Sequence, residues 1–143
     1  MKIELRPCAG EAELSDPAVT GEFAEQMAAL GTTEQFPPWC GYIGWCDGIP
    51  LGFGGFVGEP DAQGVVEIGY LTFPANQGTG VATAVAGGLV GIARSEGLSG
   101  VIAHTLPRES ASTSVLLRNG FARDGFAEDP DAGTVWRWRL NLG

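Results

Sequence analysis

The sequence predicts an α/β protein with a mixed sheet and helices packed on it, and three observations point there. An apolar run over residues 65–73 has the character of a strand, and it feeds a Gly-rich turn that opens a long helix pattern. Strand, helix, strand and helix then alternate as far as Phe121. One hairpin precedes this alternation and a second follows it, which argues for a mixed rather than a purely parallel sheet.

The whole-chain numbers bound the answer. With 143 residues, 44% of them hydrophobic, and a mean hydropathy of +0.09, the chain is expected to form one domain over residues 1–143. A domain of that size buries about 70% of its unfolded surface. Residues 1–7 lack the apolar core of a signal peptide, and no run approaches the roughly 18 apolar residues of a membrane span, so a cytoplasmic location is the expectation. Cys8, Cys40 and Cys46 have no metal-binding spacing and read as small apolar residues in a reducing compartment. Cys40 and Cys46 are expected on one strand, about 20 Å apart and too far to bridge.

Charge is unevenly placed. The net charge is −9. Up to Glu67 there are 11 acids against Lys2 and Arg6, while from Ile68 onward 6 acids balance 6 arginines. Nucleic acid is excluded as a partner, because binding it needs a basic face. An acidic first half beside a neutral, arginine-bearing second half suits a cationic acceptor and an anionic cofactor; ordinary surface solubility explains the same pattern.

Taken in order, Ile3-Glu4-Leu5 predicts a short first strand stopped by Pro7. Residues 17–30 place Val19, Phe23, Met27 and Leu30 at helical spacing, with Gly31 as a stop. Residues 39–46 and 51–58 form a predicted hairpin around Asp47-Gly48. The second of these strands is rich in glycine, which marks a bulge or close backbone approach, or tight packing on a helix. Residues 59–64 read as a plain polar loop.

The segment from Val65 is the centre of the chain. A strand, a turn containing Gly78 and Gly80, and a helix beginning near Val81 make an anion site. The free N–H groups and partial positive charge of the helix start face the turn, and the glycines remove Cβ atoms that would hold a phosphate away. A nucleotide-binding loop of the Gly-x-x-x-x-Gly-Lys type is excluded, since no lysine follows Lys2. The dinucleotide fingerprint fails because Thr83 stands where its third small residue belongs and the turn from Phe73 is too long.

The helix carries Val81, Val85, Leu89 and Ile92, with Gly97 as its stop and Arg94 in its last turn. Its three inner glycines, Gly87, Gly88 and Gly91, each cost roughly 1 kcal/mol relative to Ala, so close packing against the sheet is the expected compensation. A buried strand over 98–105 ends in His104, and a second helix over 110–119 leads to Gly120-Phe121. Strands over 121–127 and 134–141 complete the sheet. Trp136 and Trp138 share a face and read as core or interface packing.

Two stretches carry a family likeness. Gln77-Gly78-Thr79-Gly80-Val81-Ala82 has the form Gln/Arg-x-x-Gly-x-Gly/Ala, and Pro107, Ser112, Val115, Leu116, Arg118, Gly120 and Phe121 match the pattern Pro-x-Asn-x-x-Ser-x-x-Val-Leu-x-Lys/Arg-x-Gly-Phe. Together, from Glu67 to Phe121, they resemble the GNAT acyl-CoA N-acyltransferases, in wording nearest the ribosomal-protein N-terminal acetyltransferase branch. The resemblance implies a mostly antiparallel sheet splayed between strands 65–73 and 98–105, with residues 1–64 on the acceptor side and 65–143 binding acyl-CoA. It implies that acetyl-CoA is the co-substrate, with no metal. Its pyrophosphate would lie on Gln77, Gly78, Thr79, Gly80, Val81, Ala82 and Thr83. Its pantetheine would pair with the open backbone at Leu71, Thr72 and Phe73 and lie near Glu109 and Ser112.

The implied reaction is acetyl transfer to a primary amine, either a small cationic amine or a protein N-terminus, with a homodimer compatible. Glu67, on the same strand face as Leu71, is the candidate base, and His104 is an alternative proton carrier. Ser112 is the candidate contact to the thiol, with a helix cap or a plain surface serine as the competing readings. Two positions depart from the pattern. Glu109 replaces the family's Asn, and Leu116 stands where many members carry a tyrosine acid. These departures keep a second reading open, a catalytically weak acyl-CoA-binding or interaction module of the same fold.

Overall fold

The computed structural model describes residues 2–7, 38–72 and 78–142. The helix expected over 17–30, Cys8, Phe73 and Gln77 lie outside the described residues. Among the described residues, seven strands and two helices occur in the order β1 (Glu4–Pro7), β2 (Gly41–Cys46), β3 (Ile49–Phe56), β4 (Val65–Thr72), α1 (Val81–Ser95), β5 (Gly100–Thr105), α2 (Ala111–Arg118), β6 (Ala122–Asp129) and β7 (Gly133–Asn141). They build one seven-stranded sheet in the order β1-β2-β3-β4-β5-β7-β6. Every neighbouring pair is antiparallel except β4 and β5, so the mostly antiparallel expectation holds.

Local chemistry sets the boundaries, and several differ from the expected ones. Pro7 does not stop β1; it pairs with Tyr42 on the strand at the sheet's edge, where a missing N–H can face outward. Cys40 lies just before β2, not on it, and both Cys40 and Cys46 are free thiols. Asp47-Gly48 makes the predicted turn, with positive φ at both residues. Residues 59–64 are more than a plain loop: one carboxylate oxygen of Asp61 accepts from the N–H groups of Gln63 at 2.9 Å and Val65 at 3.0 Å. The last hairpin is tighter than expected because Asp129 Oδ1 accepts from Asp131 and Ala132, which lets β6 and β7 run on to the turn.

Both helices end alike. Gly97 and Leu98 donate to the carbonyls of Arg94 and Ala93, and Gly120 and Phe121 donate to those of Leu117 and Leu116. Each glycine has a positive φ, as this helix-ending motif requires. Leu98 is thereby spent on closing α1, and β5 begins only at Gly100.

The core lies between the sheet and α1. Val81, Val85, Ala86, Leu89, Val90 and Ala93 are its buried face, meeting Phe56, Val66, Ile68, Val101 and Ala103 from the sheet. The glycines of β3 divide between the two explanations. A Cβ at Gly54 would stand 2.5 Å from Val85 of α1, whereas one at Gly55 would stand 2.9 Å from the Cα of Gly41 and 3.1 Å from the Cys40 carbonyl oxygen. Trp138 is buried and donates its indole N–H to Thr105 Oγ1 at 3.0 Å, which supports packing for the tryptophan pair.

The α1 glycines divide as well. Gly88 faces Leu5 and Gly87 faces Asn119, but Gly91 faces open space. Compensation by packing therefore fails at Gly91. We expect Gly91→Ala to raise unfolding stability by about 0.5–1 kcal/mol, read as a higher denaturant midpoint at unchanged slope. Gly55→Ala should lower it by about 1–3 kcal/mol, because backbone rather than a mobile side chain blocks the new methyl. Equal midpoints for the two variants would refute this packing account.

Candidate active site

The strands β4 and β5 part company early. They pair only through Val65 with Gly100, Val66 with Val101 and Glu67 with Ile102, although β4 runs on to Thr72 and β5 to Thr105. On its other side β4 stays paired with β3 as far as Thr72. The backbone of β4 from Ile68 to Thr72 therefore faces a gap where β5 would lie. The expected splay is present, and the backbone of Leu71 and Thr72 borders it.

Register decides which side chains flank the gap. Residues alternate across a strand and paired residues share a face, so Glu67, Ile102 and His104 lie on one face of the sheet. The opposite face holds Val101, Ala103 and Thr105, all buried. The two proton-carrier candidates are brought together: His104 Nδ1 is 3.3 Å from Glu67 Oε2, with side-chain exposures of 25% and 33%. The sequence offered them as alternatives; the structure makes them partners at the root of the gap. Both are accessible to solvent while sitting beside the last paired rung.

The turn before α1 is open. Gly78 and Gly80 have φ of 78° and 87°, a conformation that disfavours residues with a Cβ, and a Cβ on either would meet nothing within 4 Å. Gly80 is the N-cap of α1, and no side chain caps that end. The first intrahelical bond runs from Ala84 N–H to the Gly80 carbonyl at 3.1 Å, so the amides of Val81, Ala82 and Thr83 precede the ladder. Thr79 is exposed beside them.

The second helix excludes the capping reading of the serine. Ser110, not Ser112, is the N-cap of α2, in a reciprocal capping box with Thr113. The Ser112 side chain is thus released from capping and is exposed at the helix start. Its carbonyl accepts from Tyr70 Oη at 2.9 Å, which ties β4 to the start of α2. Burial raises the Tyr70 phenol above its ordinary pKa, so the hydroxyl stays a neutral donor. Glu109 is exposed next to the cap, and Leu116 is fully buried in the core.

Two residues with structural influence here went unread in the sequence. In the sequence Tyr70 reads as one more apolar strand residue, though its even position puts it on the face opposite Glu67. Asn119 donates from Nδ2 to the Thr83 carbonyl at 3.2 Å and to the Val115 carbonyl at 3.0 Å, fixing the start of α1 against α2. Its place beside the helix-ending Gly120 was the available signal. Among the described residues, no group of three or more His, Cys, Asp or Glu could hold a metal ion, and no helix is long and apolar enough to cross a membrane.

Comparison with known proteins bears on this geometry. A family model for the acetyltransferase (GNAT) domain matches residues 11–122. No curated protein sequence matches the chain closely enough to count as a relative. Among solved structures, the aminoglycoside acetyltransferase AAC(6')-Ib in complex with coenzyme A superposes with a TM-score of 0.78 at 18% identity, covering 98% of this chain and 95% of that one. RimL, a ribosomal L7/L12 alpha-N-protein acetyltransferase in complex with coenzyme A, gives 0.74 at 18% identity over 99% and 95% of the two chains. A phosphinothricin acetyltransferase from Sinorhizobium meliloti in complex with AcCoA gives 0.71 at 20%, over 100% and 90%. At these identities the likeness is one of fold.

Proposed function

The chain belongs to the GNAT acetyltransferase family, and from that premise we propose that it transfers an acetyl group from acetyl-CoA to a primary amine, on a small molecule or a protein N-terminus. The observation that carries this reading is the Glu67–His104 pair, 3.3 Å apart and beside the gap between β4 and β5. The structural neighbours support it, since they include an aminoglycoside acetyltransferase with coenzyme A and kanamycin and a protein N-terminal acetyltransferase with coenzyme A.

The residues present fit acetyl-CoA. The open turn at Gly78, Thr79 and Gly80 and the first amides of α1, at Val81, Ala82 and Thr83, would take the pyrophosphate. The gap-side backbone edge of β4 at Leu71 and Thr72 would pair with the pantetheine amides, with the exposed Ser112 near the thiol end. Acetyl-CoA supplies the activated acetyl group as a thioester. The chain's part is to hold it, to offer β4 N–H groups to the oxygen that gains charge, and to relieve the amine of a proton. Glu67 is suited to accept that proton directly or through water, with His104 passing it on. Tyr70, a neutral hydroxyl at the start of α2, is placed to hold that helix in register with the gap. A cytoplasmic setting suits the free thiols of Cys40 and Cys46.

The test is a panel of primary amines and N-terminal peptides incubated with acetyl-CoA, with release of free thiol followed continuously. We expect thiol release that depends on the amine and matches acetylated product one to one. Acetyl-CoA binding without turnover of any amine would overturn the transferase reading and leave a binding module.

A further inference from the structure

The face of the sheet that carries Glu67 and His104 continues into a cavity of about 260 Å³ lined by Asp61, Gln63, Val65, Ile102, Arg137 and Arg139. Its position follows from register. Arg139 pairs with Ile102 and Arg137 with His104, so both arginines share the face of the proposed proton carriers. Two cations on one wall beside a site for a cationic amine call for an explanation, and solubility does not supply one.

The arginines are not spent on each other's neighbours. Arg139 donates from Nε to Asn141 Oδ1 at 2.8 Å and makes no other hydrogen bond among the described residues. Its guanidinium lies over Gly100, where a Cβ would come within 3.1 Å of Nη2. Gly100 thus makes room for it at the foot of β5, beside Val65. Arg137 reaches Asp124 only loosely, at 3.4 Å to the carboxylate and 3.3 Å to the carbonyl, and its buried Nε has no partner. The acid at the rim, Asp61, has one oxygen taken up by the backbone of its own loop. Val65 and Ile102 supply an apolar wall between the arginines and the Glu67–His104 pair.

We propose that this cavity is the subsite for a carboxylate of the acceptor, so that the acceptor is zwitterionic: its amine meets Glu67 and His104, and its carboxylate meets Arg139 and Arg137. This rests on the acetyltransferase reading and narrows its substrate class. The acidic first half of the chain suggested a cationic acceptor; the local charges answer to both ends of one molecule. A guanidinium fork suits a planar carboxylate, which it can grip through two parallel bonds. The spacing follows from the sheet. From Glu67 to the Arg139 head over Gly100 is one strand across and two residues down, about 8 Å at roughly 4.8 Å between strands and 3.3 Å per residue. An extended chain of five methylenes between amine and carboxylate spans that distance.

The experiment compares ω-amino acids from 4-aminobutanoate to 7-aminoheptanoate with n-hexylamine, using kcat/KM for acetyl transfer. The expected result is an optimum at 6-aminohexanoate, on the order of tenfold to a hundredfold above n-hexylamine, the range a charge-assisted contact supports. Arg139→Gln should bring the ratio of 6-aminohexanoate to n-hexylamine close to one, and Arg139→Lys should keep part of it. Arg94→Gln, which removes a distant positive charge, should leave the ratio unchanged. Turnover of all these amines with no preference for the carboxylate would overturn this proposal while the transferase reading stands. Should no amine turn over, titration calorimetry of 6-aminohexanoate decides separately: binding weakened at least tenfold by Arg139→Gln sustains the subsite, and binding indifferent to that change removes it.

Discussion

Glu67→Gln is expected to lower kcat/KM for acetyl transfer to a primary amine by about 10²–10⁴-fold at neutral pH, the range a positioned base contributes. The substitution is nearly isosteric, and Glu67 stays on the last paired rung of β4 and β5, so acetyl-CoA binding and stability should change little. The loss should narrow as pH approaches the amine's own pKa, where deprotonated amine becomes plentiful and no acceptor is needed. Because His104 Nδ1 lies 3.3 Å from the carboxylate, the two residues are proposed to act on one proton, and their effects should not add. His104→Gln should show a smaller loss with the same rescue at high pH, and the double variant should be little worse than Glu67→Gln. Additive losses would mean that the pair does not work as a unit. A rate–pH profile unchanged in all three variants would mean that the proton leaves through solvent, and the pair would have no part in the reaction.

Much of this geometry was legible because its signals are local. The Asp47-Gly48 turn, the Gly97 and Gly120 helix ends and the Gly-rich turn before α1 each depend on a few adjacent residues whose backbone preference is strong. The site was legible in its parts but not in its assembly. Glu67 and His104 lie far apart in sequence and meet because parallel pairing sets Glu67 beside Ile102, two residues before His104. No periodicity carries that register. Ser112 was ambiguous for a different reason: three serines and a threonine crowd residues 110–114, any of which can cap a helix. Only the observed bonds between Ser110 and Thr113 choose among them. The cavity with Arg137 and Arg139 was out of reach, since it joins a loop and three strands, β4, β5 and β7, that are distant in sequence. Gly91 shows the converse error, a glycine given a packing reason that its surroundings do not supply.

Gly80→Asp is expected to abolish the stabilisation that acetyl-CoA confers on the parent protein. At a ligand concentration of 100 Kd, binding to the folded state alone adds about 2.7 kcal/mol, which for a chain of this size raises Tm by roughly 5–11 °C. The new carboxylate would stand at the N-cap of α1, in the open space a Cβ meets there, where the first amides of the helix are proposed to take the pyrophosphate. Bulk and like charge act together, and Gly80→Asn separates them. Asn has the same shape, tolerates the left-handed backbone that Gly80 adopts at φ 87°, and carries no charge. It should therefore keep part of the shift, and the difference between Asp and Asn should shrink as salt screens the repulsion. Gly91→Asp, an equal charge on the exposed flank of the same helix, should leave the acetyl-CoA shift intact. Loss of the shift in Gly91→Asp as well would point to a general charge effect, and a full shift in Gly80→Asp would remove the turn from the cofactor site altogether.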